Sequence, residues 1–362
     1  MSVNQPKKYL TSGGESWLAV WPENELEVMS VCPVCGSAER TILHEELMDN
    51  VSQCAPGKWN SWLCAGCQCL YLDPRPSRES IHLAYRNYHT HQQSIPKQNY
   101  SNLSPFRKLR RNLVNGYINW RYSSSKTPAT PLGVPVFLFL WPLKQILDRE
   151  YRHLPRIPKS GGALLDVGCG NCSFLEVAKS CGWDVVGVDP DIQAITHGRN
   201  IGLHVMHGDI NKFNGQSNLF DVITLNHVIE HVHDPLFVLK TCHRLLKIGG
   251  KLWLETPNID SFGHRFYMKD WRGLEPPRHL VLFNLSSLSK LLADAGFSKI
   301  CTESGSHSLL YMTKASEAIK RRLPIGINAK LTGIQNAMVI KNKLLELFVP
   351  SRKELLTISA YK

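Results

Sequence analysis

The sequence predicts an α/β protein: a mostly parallel sheet wrapped by helices, with a small cysteine-bearing module ahead of it. Three observations lead there. Short apolar runs alternate with helical stretches from residue 161 onward. The first run, LLDVGCGNCSF at residues 164–174, ends in an acid and a Gly-x-Gly turn. Two Cys-x-x-Cys pairs, Cys32/Cys35 and Cys64/Cys67, precede the alternation. Such alternation sets parallel strands side by side, with crossover helices covering both faces.

The chain, 362 residues with 43% hydrophobic and 20% charged residues, is long enough for one large core plus an appendage. Residues 1–30 read as a tail carrying Trp17 and Trp21. No apolar h-region follows Met1, so no secretory signal is expected. Residues 31–76 form the cysteine module. Residues 77–160 read as a basic, apolar, helical linker with a Ser/Thr/Pro break at 123–131. Its run VPVFLFLWPL, residues 134–143, is interrupted by two prolines and falls well short of the ~20 residues a spanning helix needs. A cytoplasmic location is expected. There, eleven cysteines point to metal binding or core packing rather than disulfides.

Residues 161–304 carry the strand–helix domain. Strands are expected at 163–167, 185–188, 204–207, 222–225 and 252–255. Asp234-Pro235 reads as an N-cap followed by proline at the first helical position. The helix it opens, 236–247, is expected to end at Gly249-Gly250. Ser286 is expected to open a further helix that Gly296 closes. Residues 305–353 read as an amphipathic, basic insertion or a packed cap, and 354–362 as the last strand of the sheet.

The turn Gly168-Cys169-Gly170 bends the chain sharply and lets a ligand approach the backbone. A dinucleotide fingerprint wants a third glycine or alanine three places on, and Ser173 stands there. The second strand ends in Asp189, where a carboxylate accepts from ribose hydroxyls. The third ends in Gly208-Asp209-Ile210, an acid for an adenine amino group and an apolar cover for the ring. The fourth gives FDVITLNHVIEHVHDP, residues 220–235.

In order, LLDVGCGNCSF, VVGVDPD, GDI, FDVITLNHVIEHVHDP and LLKIGGKLWLETPN resemble the five motifs of class I S-adenosylmethionine-dependent methyltransferases. The resemblance covers residues 161–304 and the last strand. It implies a Rossmann-like seven-stranded, mostly parallel sheet, here with a small N-terminal zinc-ribbon-like module. It also implies S-adenosyl-L-methionine as cofactor. Asp166, Gly168 and Gly170 would line the methionine part, Asp189 would hold the ribose, and Asp209 with Ile210 the adenine. Asn226 and His227 would lie beside the sulfonium. Plainer roles are a turn-capping acid for Asp166 and structural parts for Asn226 and His227.

Cys32, Cys35, Cys64 and Cys67 form C-x2-C…C-x2-C, a pattern that holds Zn²⁺ through four thiolates. Four cysteines leave no open position for water, so the ion's role would be structural. Cys54 and Cys69 are spare, and Cys69 competes with Cys67 for the fourth place. The segment also resembles the zinc-binding N-terminal part of certain bacterial methyltransferases, sugar C-methyltransferases among them. Those sugar enzymes usually carry a further C-terminal domain, whereas this sequence runs only to its last sheet strand.

Residues 261–284, SFGHRFYMKDWRGLEPPRHLVLFN, follow the carboxyl end of the fifth strand, where open α/β sheets place ligands. This loop is expected to wall the acceptor pocket. A hydroxyl acceptor must lose a proton. His279 is the first choice of base and His231 the second, because imidazole titrates near neutrality. The plainer reading of His279 is a histidine that holds the loop. Arg272 and Arg278 are expected to bind an anionic acceptor or to form surface salt bridges. Trp271 and Tyr267 would stack on a sugar or form loop core.

Charge is uneven: residues 97–159 carry a net +10 and residues 306–362 a net +7, against +12 for the whole chain. Both segments also hold large apolar residues, a pattern suited to an anionic membrane surface or an acidic partner. The leading function is O-methylation of a saccharide, a lipid-linked glycan or a small metabolite, with peripheral contact at the inner membrane face. Alternatives are RNA methylation, a non-catalytic scaffold binding cofactor and zinc, and sugar C-methylation. Against nucleic acid, Asn226-His227-Val228-Ile229 stands where enzymes acting on base nitrogens place Asn-Pro-Pro-Tyr.

Overall fold

In the computed structural model the described residues are 20–85, 101, 103–303, 308–324, 326–327 and 329–362, so Trp17 lies outside them. The N-terminal module comprises β1 (Leu26–Glu27), β2 (Arg40–Leu47), β3 (Trp59–Cys64), β4 (Leu70–Leu72) and β5 (Arg75–Pro76). Three helices follow: α1 (Pro105–Tyr122), α2 (Gly133–Phe139) and α3 (Trp141–Glu150). The alternating domain then runs β6 (Ala163–Val167), α4 (Ser173–Ser180), β7 (Asp184–Asp189), α5 (Ile192–Asn200), β8 (His204–His207), β9 (Phe220–Asn226), α6 (Pro235–Leu245), β10 (Leu246–Pro257). After it come α7 (Phe262–Tyr267), β11 (Val281–Leu282), α8 (Leu285–Asp294), β12 (Ser298–Thr302), α9 (Ser308–Lys320), α10 (Gly333–Phe348) and β13 (Leu355–Tyr361).

The seven-stranded sheet has the order β12-β13-β10-β9-β6-β7-β8. β8, β7, β6, β9 and β10 are parallel, and β13 lies antiparallel between β10 and β12. Strand order reverses between β6 and β9, the crevice where such sheets bind ligands. Side-chain alternation splits the core between the two faces. Leu164 packs with Leu175, Val185 and the aromatic side of α1 and α2, including Tyr117 and Phe137. Leu165 packs with Ile223, Leu239 of α6 and Leu291 of α8.

Three local expectations are corrected. Helix α6 stops at Leu245, because Leu246 turns extended and already pairs with Phe220. The register breaks between Leu246 and Lys251, so Gly249, at φ +78°, sits in a bulge of β10 instead of ending a helix. Asn284, not Ser286, caps α8, in a reciprocal capping box with Ser287. The sequence also gave no sign of β12. That edge strand is mostly exposed, so no apolar alternation marks it. The caps at Asp234 and Gly296 stand as expected: Asp234 accepts from the Phe237 amide at 2.8 Å, and Gly296 adopts φ +100°.

β11 leaves the loop after β10 and pairs with β4, completing a four-stranded antiparallel sheet β11-β4-β3-β2. The cysteine module is therefore built into the domain through this loop. Helices α9 and α10 pack over the same side. Leu309 and Met312 are buried, and Gln335 donates to Glu317 at 2.7 Å. Among the described residues no helix is long and apolar enough to cross a membrane.

Candidate functional site

The carboxyl edge of the parallel strands gathers most of the residues singled out above. The turn after β6 is open to a ligand: Gly168 and Gly170 take φ of +69° and +48°. A Cβ on Gly168 would lie 2.5 Å from Val228, whereas one on Gly170 would meet nothing within 4 Å. Asp189, at the tip of β7, accepts from the Gly170 amide and the Asp191 amide, each at 2.8 Å. It thus fixes the turn. Asp209 is exposed and caps a short 3₁₀ turn through the Asn211 amide at 2.9 Å. Ile210 is buried in the core among the sheet and α6, so it offers no open face to a ring.

Asp166 lies fully buried beneath the turn. Arg152 and Thr224 both donate to its Oδ1, the latter at 2.7 Å, while Oδ2 has no hydrogen-bond partner. Burial pushes its pKa up, and Arg152 opposes the shift. Arg152 also stacks on Phe174 at 3.8 Å, and Arg149 forks onto buried Glu255. Sequence reasoning missed these two arginines of the α3 end, although two acids at buried strand tips demand cations nearby. Together with Asn226, Ser173 and Trp253 they line a cavity of about 270 Å³. The orphaned carboxylate oxygen, the glycine cradle and the acid at the second tip fit a cofactor bearing an ammonium group and a ribose.

At the ends of β9 and β10 a second cluster forms. His227 takes φ +54°, and its Nδ1–H donates to Glu230 at 3.1 Å. Burial disfavours charge on His227, but the Glu230 partner prevails and raises its pKa. Glu230 is buried and also accepts from Thr256 at 2.9 Å. Burial works against its charge, yet His227 outweighs it and holds the carboxyl at about 2.

His231 and His279 come together, ring centroids 4.7 Å apart. His231 Nδ1–H donates to the Arg278 carbonyl at 3.0 Å, and His279 Nδ1–H to the Gly273 carbonyl at 2.8 Å. Both Nε2 atoms are thereby left as acceptors. Burial, with His231 adjacent, pushes His279 down to about 4; burial lowers His231 as well. His231 is half-buried and His279 buried. Coordinating atoms of Glu230, His231 and His279 lie within 4.8 Å of one another, a set able to hold a cation.

The loop 261–284 is held tightly from below. Arg278 is fully buried and forks onto Asp49 of the module, at 2.6 and 3.0 Å, and onto Glu275 at 3.1 Å. Arg272 donates to Glu275 at 2.5 Å. Arg278 is therefore saturated within the protein and is not free for an anionic acceptor. Trp271 and Tyr267 are buried, with Trp271 donating to Glu354 at 3.0 Å, so they are loop core and not stacking platforms.

In the module, the Sγ atoms of Cys32, Cys35, Cys64 and Cys67 all lie within 4.8 Å of one another. Cys32–Cys67 and Cys35–Cys64 are 3.7 and 3.4 Å apart. Zn–S bonds of ~2.3 Å in a tetrahedron give sulfur separations near ~3.8 Å, so the four thiols fit that ion. Cys69 stands beside them as a fifth thiol, 3.4 Å from Cys32 and 3.3 Å from Cys67, outside the mutually close set of four. Cys54 is remote from the cluster, beside Asp49 and Arg278.

Residues 143–302 match a family model described as a methyltransferase domain. A ubiquinone biosynthesis O-methyltransferase of Pseudomonas paraeruginosa is 36% identical over 114 residues, 30% of this chain and 49% of that protein. One of Coxiella burnetii is 34% identical over 109 residues, 28% of this chain and 47% of that protein. The chain thus spans about half the length of the curated relatives it matches. A solved S-adenosylmethionine-dependent methyltransferase from Archaeoglobus fulgidus aligns with a TM-score of 0.42 at 21% identity, over 62% of this chain and 100% of that one.

Proposed function

We propose that residues 143–302, which match a methyltransferase-domain model, form a class I S-adenosylmethionine-dependent methyltransferase domain, and that this chain moves a methyl group onto an oxygen of a saccharide, a lipid-linked glycan or a small metabolite. The observation that carries the oxygen acceptor is the pair of neutral imidazoles with the Glu230 carboxylate, gathered from the segment after β9 and the loop after β10. The name of the curated relatives supports oxygen as the accepting atom.

When bound, S-adenosyl-L-methionine supplies a methyl group on a cationic sulfur. The chain's own residues do the rest. Gly168 and Gly170 admit the ligand to the backbone, Asp189 orients the ribose, and Asp209 receives the adenine edge. Asp166, held by Arg152 and Thr224 beneath the turn, supplies the negative charge that favours the ammonium there. Alignment of acceptor and methyl supplies much of the rate.

His231 takes the hydroxyl proton at Nε2, because it is the more exposed of the two histidines. His279 positions it from behind. This order reverses the one expected from sequence. The four-thiolate set of Cys32, Cys35, Cys64 and Cys67 holds a structural Zn²⁺.

The test is turnover of labelled cofactor against fractionated lipid, glycan and RNA extracts, with calorimetry of cofactor binding. Label entering an alkali-stable ether in a lipid or glycan fraction is expected, with Asp189→Ala weakening cofactor binding by about 100-fold, the worth of two charge-assisted hydrogen bonds. Label confined to RNA, or unchanged affinity in Asp189→Ala, refutes the reading.

A further inference from the structure

The cofactor turn carries two thiols with no part in methyl transfer. Cys169-Gly170-Asn171-Cys172 is a third Cys-x-x-Cys pair, set between β6 and α4. Its sulfurs stand 3.9 Å apart. The Cys172 amide donates to the Cys169 carbonyl at 2.9 Å, closing a four-residue turn that keeps the two Cα atoms within the ~7 Å a disulfide can span. Cys172, the N-cap of α4, takes φ +60°, a left-handed backbone that a cysteine rarely adopts. Both thiols face close walls: a Cβ on Gly187 would lie 2.8 Å from the Cys169 Sγ, and one on Gly198 2.7 Å from the Cys172 Sγ. The Cys169 sulfur holds the Cys172 thiol below its ordinary pKa, against the burial that opposes it. Apolar packing accounts for a single buried cysteine. It does not account for two sulfurs side by side across one turn, one of them on a left-handed backbone.

We propose that Cys169 and Cys172 form a reversible disulfide that closes the cofactor turn, a modification site for a small hydroperoxide. The effect on function rests on S-adenosyl-L-methionine binding at that turn. Both thiols are buried, so the oxidant must be small. The Cys172 thiolate attacks one peroxide oxygen. The O–O bond breaks, and hydroxide leaves and takes up the proton that Cys172 released, giving a sulfenic acid. The Cys169 thiol then attacks that sulfur, the S–O bond breaks, and water leaves with the thiol proton. The two thiols together lose two electrons and the peroxide gains them. Bonding draws the sulfurs together by about 2 Å. Gly170 lies between the two cysteines, and its amide is tied to Asp189 at 2.8 Å. The contraction therefore pulls on the glycine and the acid that frame the cofactor. In a reducing compartment such a bond is transient and sensing, not structural. Oxidation and cofactor binding oppose each other, because linkage is reciprocal.

The full, zinc-loaded chain is reduced, treated with graded hydrogen peroxide and alkylated. Trypsin, cutting after Lys159 and Lys179, releases residues 160–179, whose only cysteines are these two. That peptide should appear unalkylated and lighter by two hydrogens, and dithiothreitol should reverse the change. Calorimetry of the oxidised chain should show cofactor affinity reduced at least about 10-fold, and saturating cofactor should protect the peptide. Cys169→Ala and Cys172→Ala should each keep their own affinity through the same treatment, which separates this pair from oxidation of the four module thiols. Two alkylated thiols at every peroxide concentration overturn the proposal, as does a disulfide that leaves affinity unchanged. So does a loss of affinity in either alanine variant equal to the parent's. A reduced parent that binds no S-adenosyl-L-methionine defeats the functional reading instead, and the peptide mass still decides whether the disulfide forms.

Discussion

At the scale of single residues, the two histidines divide one task. Each is tied through Nδ1–H to a backbone carbonyl, so neither ring can turn to trade tautomers freely. With pKa values depressed by burial, both are neutral at pH 7 and ready to accept a proton. Access separates them, His231 half-open and His279 closed off. His231→Gln should lower kcat by about 10²–10⁴-fold with cofactor affinity unchanged. It should also flatten the acid limb of the pH–rate profile. His279→Gln should cost less and leave that limb in place, since burial and His231 hold His279 at about 4 and it carries no charge near neutrality. The measurement is kcat against pH for both variants; a larger loss in His279→Gln, with the limb abolished, would restore the opposite assignment. The motif acids and glycines of this edge were legible because strand ends place them there. Arg149 and Arg152 were not, because a basic helix looks the same in sequence whether its arginines meet solvent or buried carboxylates.

At the scale of elements, the loop after β10 is shared between two sheets. β11 completes the module's sheet only two residues after His279, and Arg278 joins the same loop to Asp49. Geometry at the histidines is therefore set partly by the cysteine module. Arg278→Met would leave Asp49 and Glu275 short of a buried cation, at a cost of about 3–5 kcal/mol. A chelator that strips the four thiols should slow turnover by 10-fold or more while leaving cofactor affinity within about 3-fold, because the Gly168–Asp189 side belongs to a different sheet. Turnover indifferent to complete metal removal, checked by elemental analysis, would disconnect the module from the site. Sequence made both partners visible, the cysteine pairs and the long aromatic loop, but not their union. Pairing of a two-residue strand with another 210 residues earlier in the chain leaves no local trace. The burial of Arg278 escaped for the same reason, its partner Asp49 being 229 residues away.

At the scale of the whole molecule, buried titrating groups oppose one another over a single pH window. Burial depresses His44 and His279 to about 4, against an ordinary value of 6.5. Their unfolded forms bind protons first, so stability is present above pH 6.5 and is lost as pH falls toward 4. Glu346 and Glu354 behave oppositely: burial raises them to about 8 and about 7, from 4.5. Their neutral folded forms favour the native state below pH 4.5, and that advantage is lost as pH rises through the folded values. Between pH 5 and 7 the two sets act in opposite directions, each group on the order of 2 kcal/mol. His153, His231, His233, His243 and His264 are depressed by burial as well, so the two acids temper the rise of stability with pH and do not cancel it. Glu346→Gln removes one of the two acids without changing shape, since the folded side chain is already neutral at pH 7. It should stabilise the protein by about 1–3 kcal/mol at pH 7 and by almost nothing at pH 4.5, leaving a profile that climbs with pH. Denaturant melts of parent and variant at the two pH values measure this directly. A variant effect equal at both would mean that Glu346 is ionised in the folded protein, and that α10 does not seal it from water.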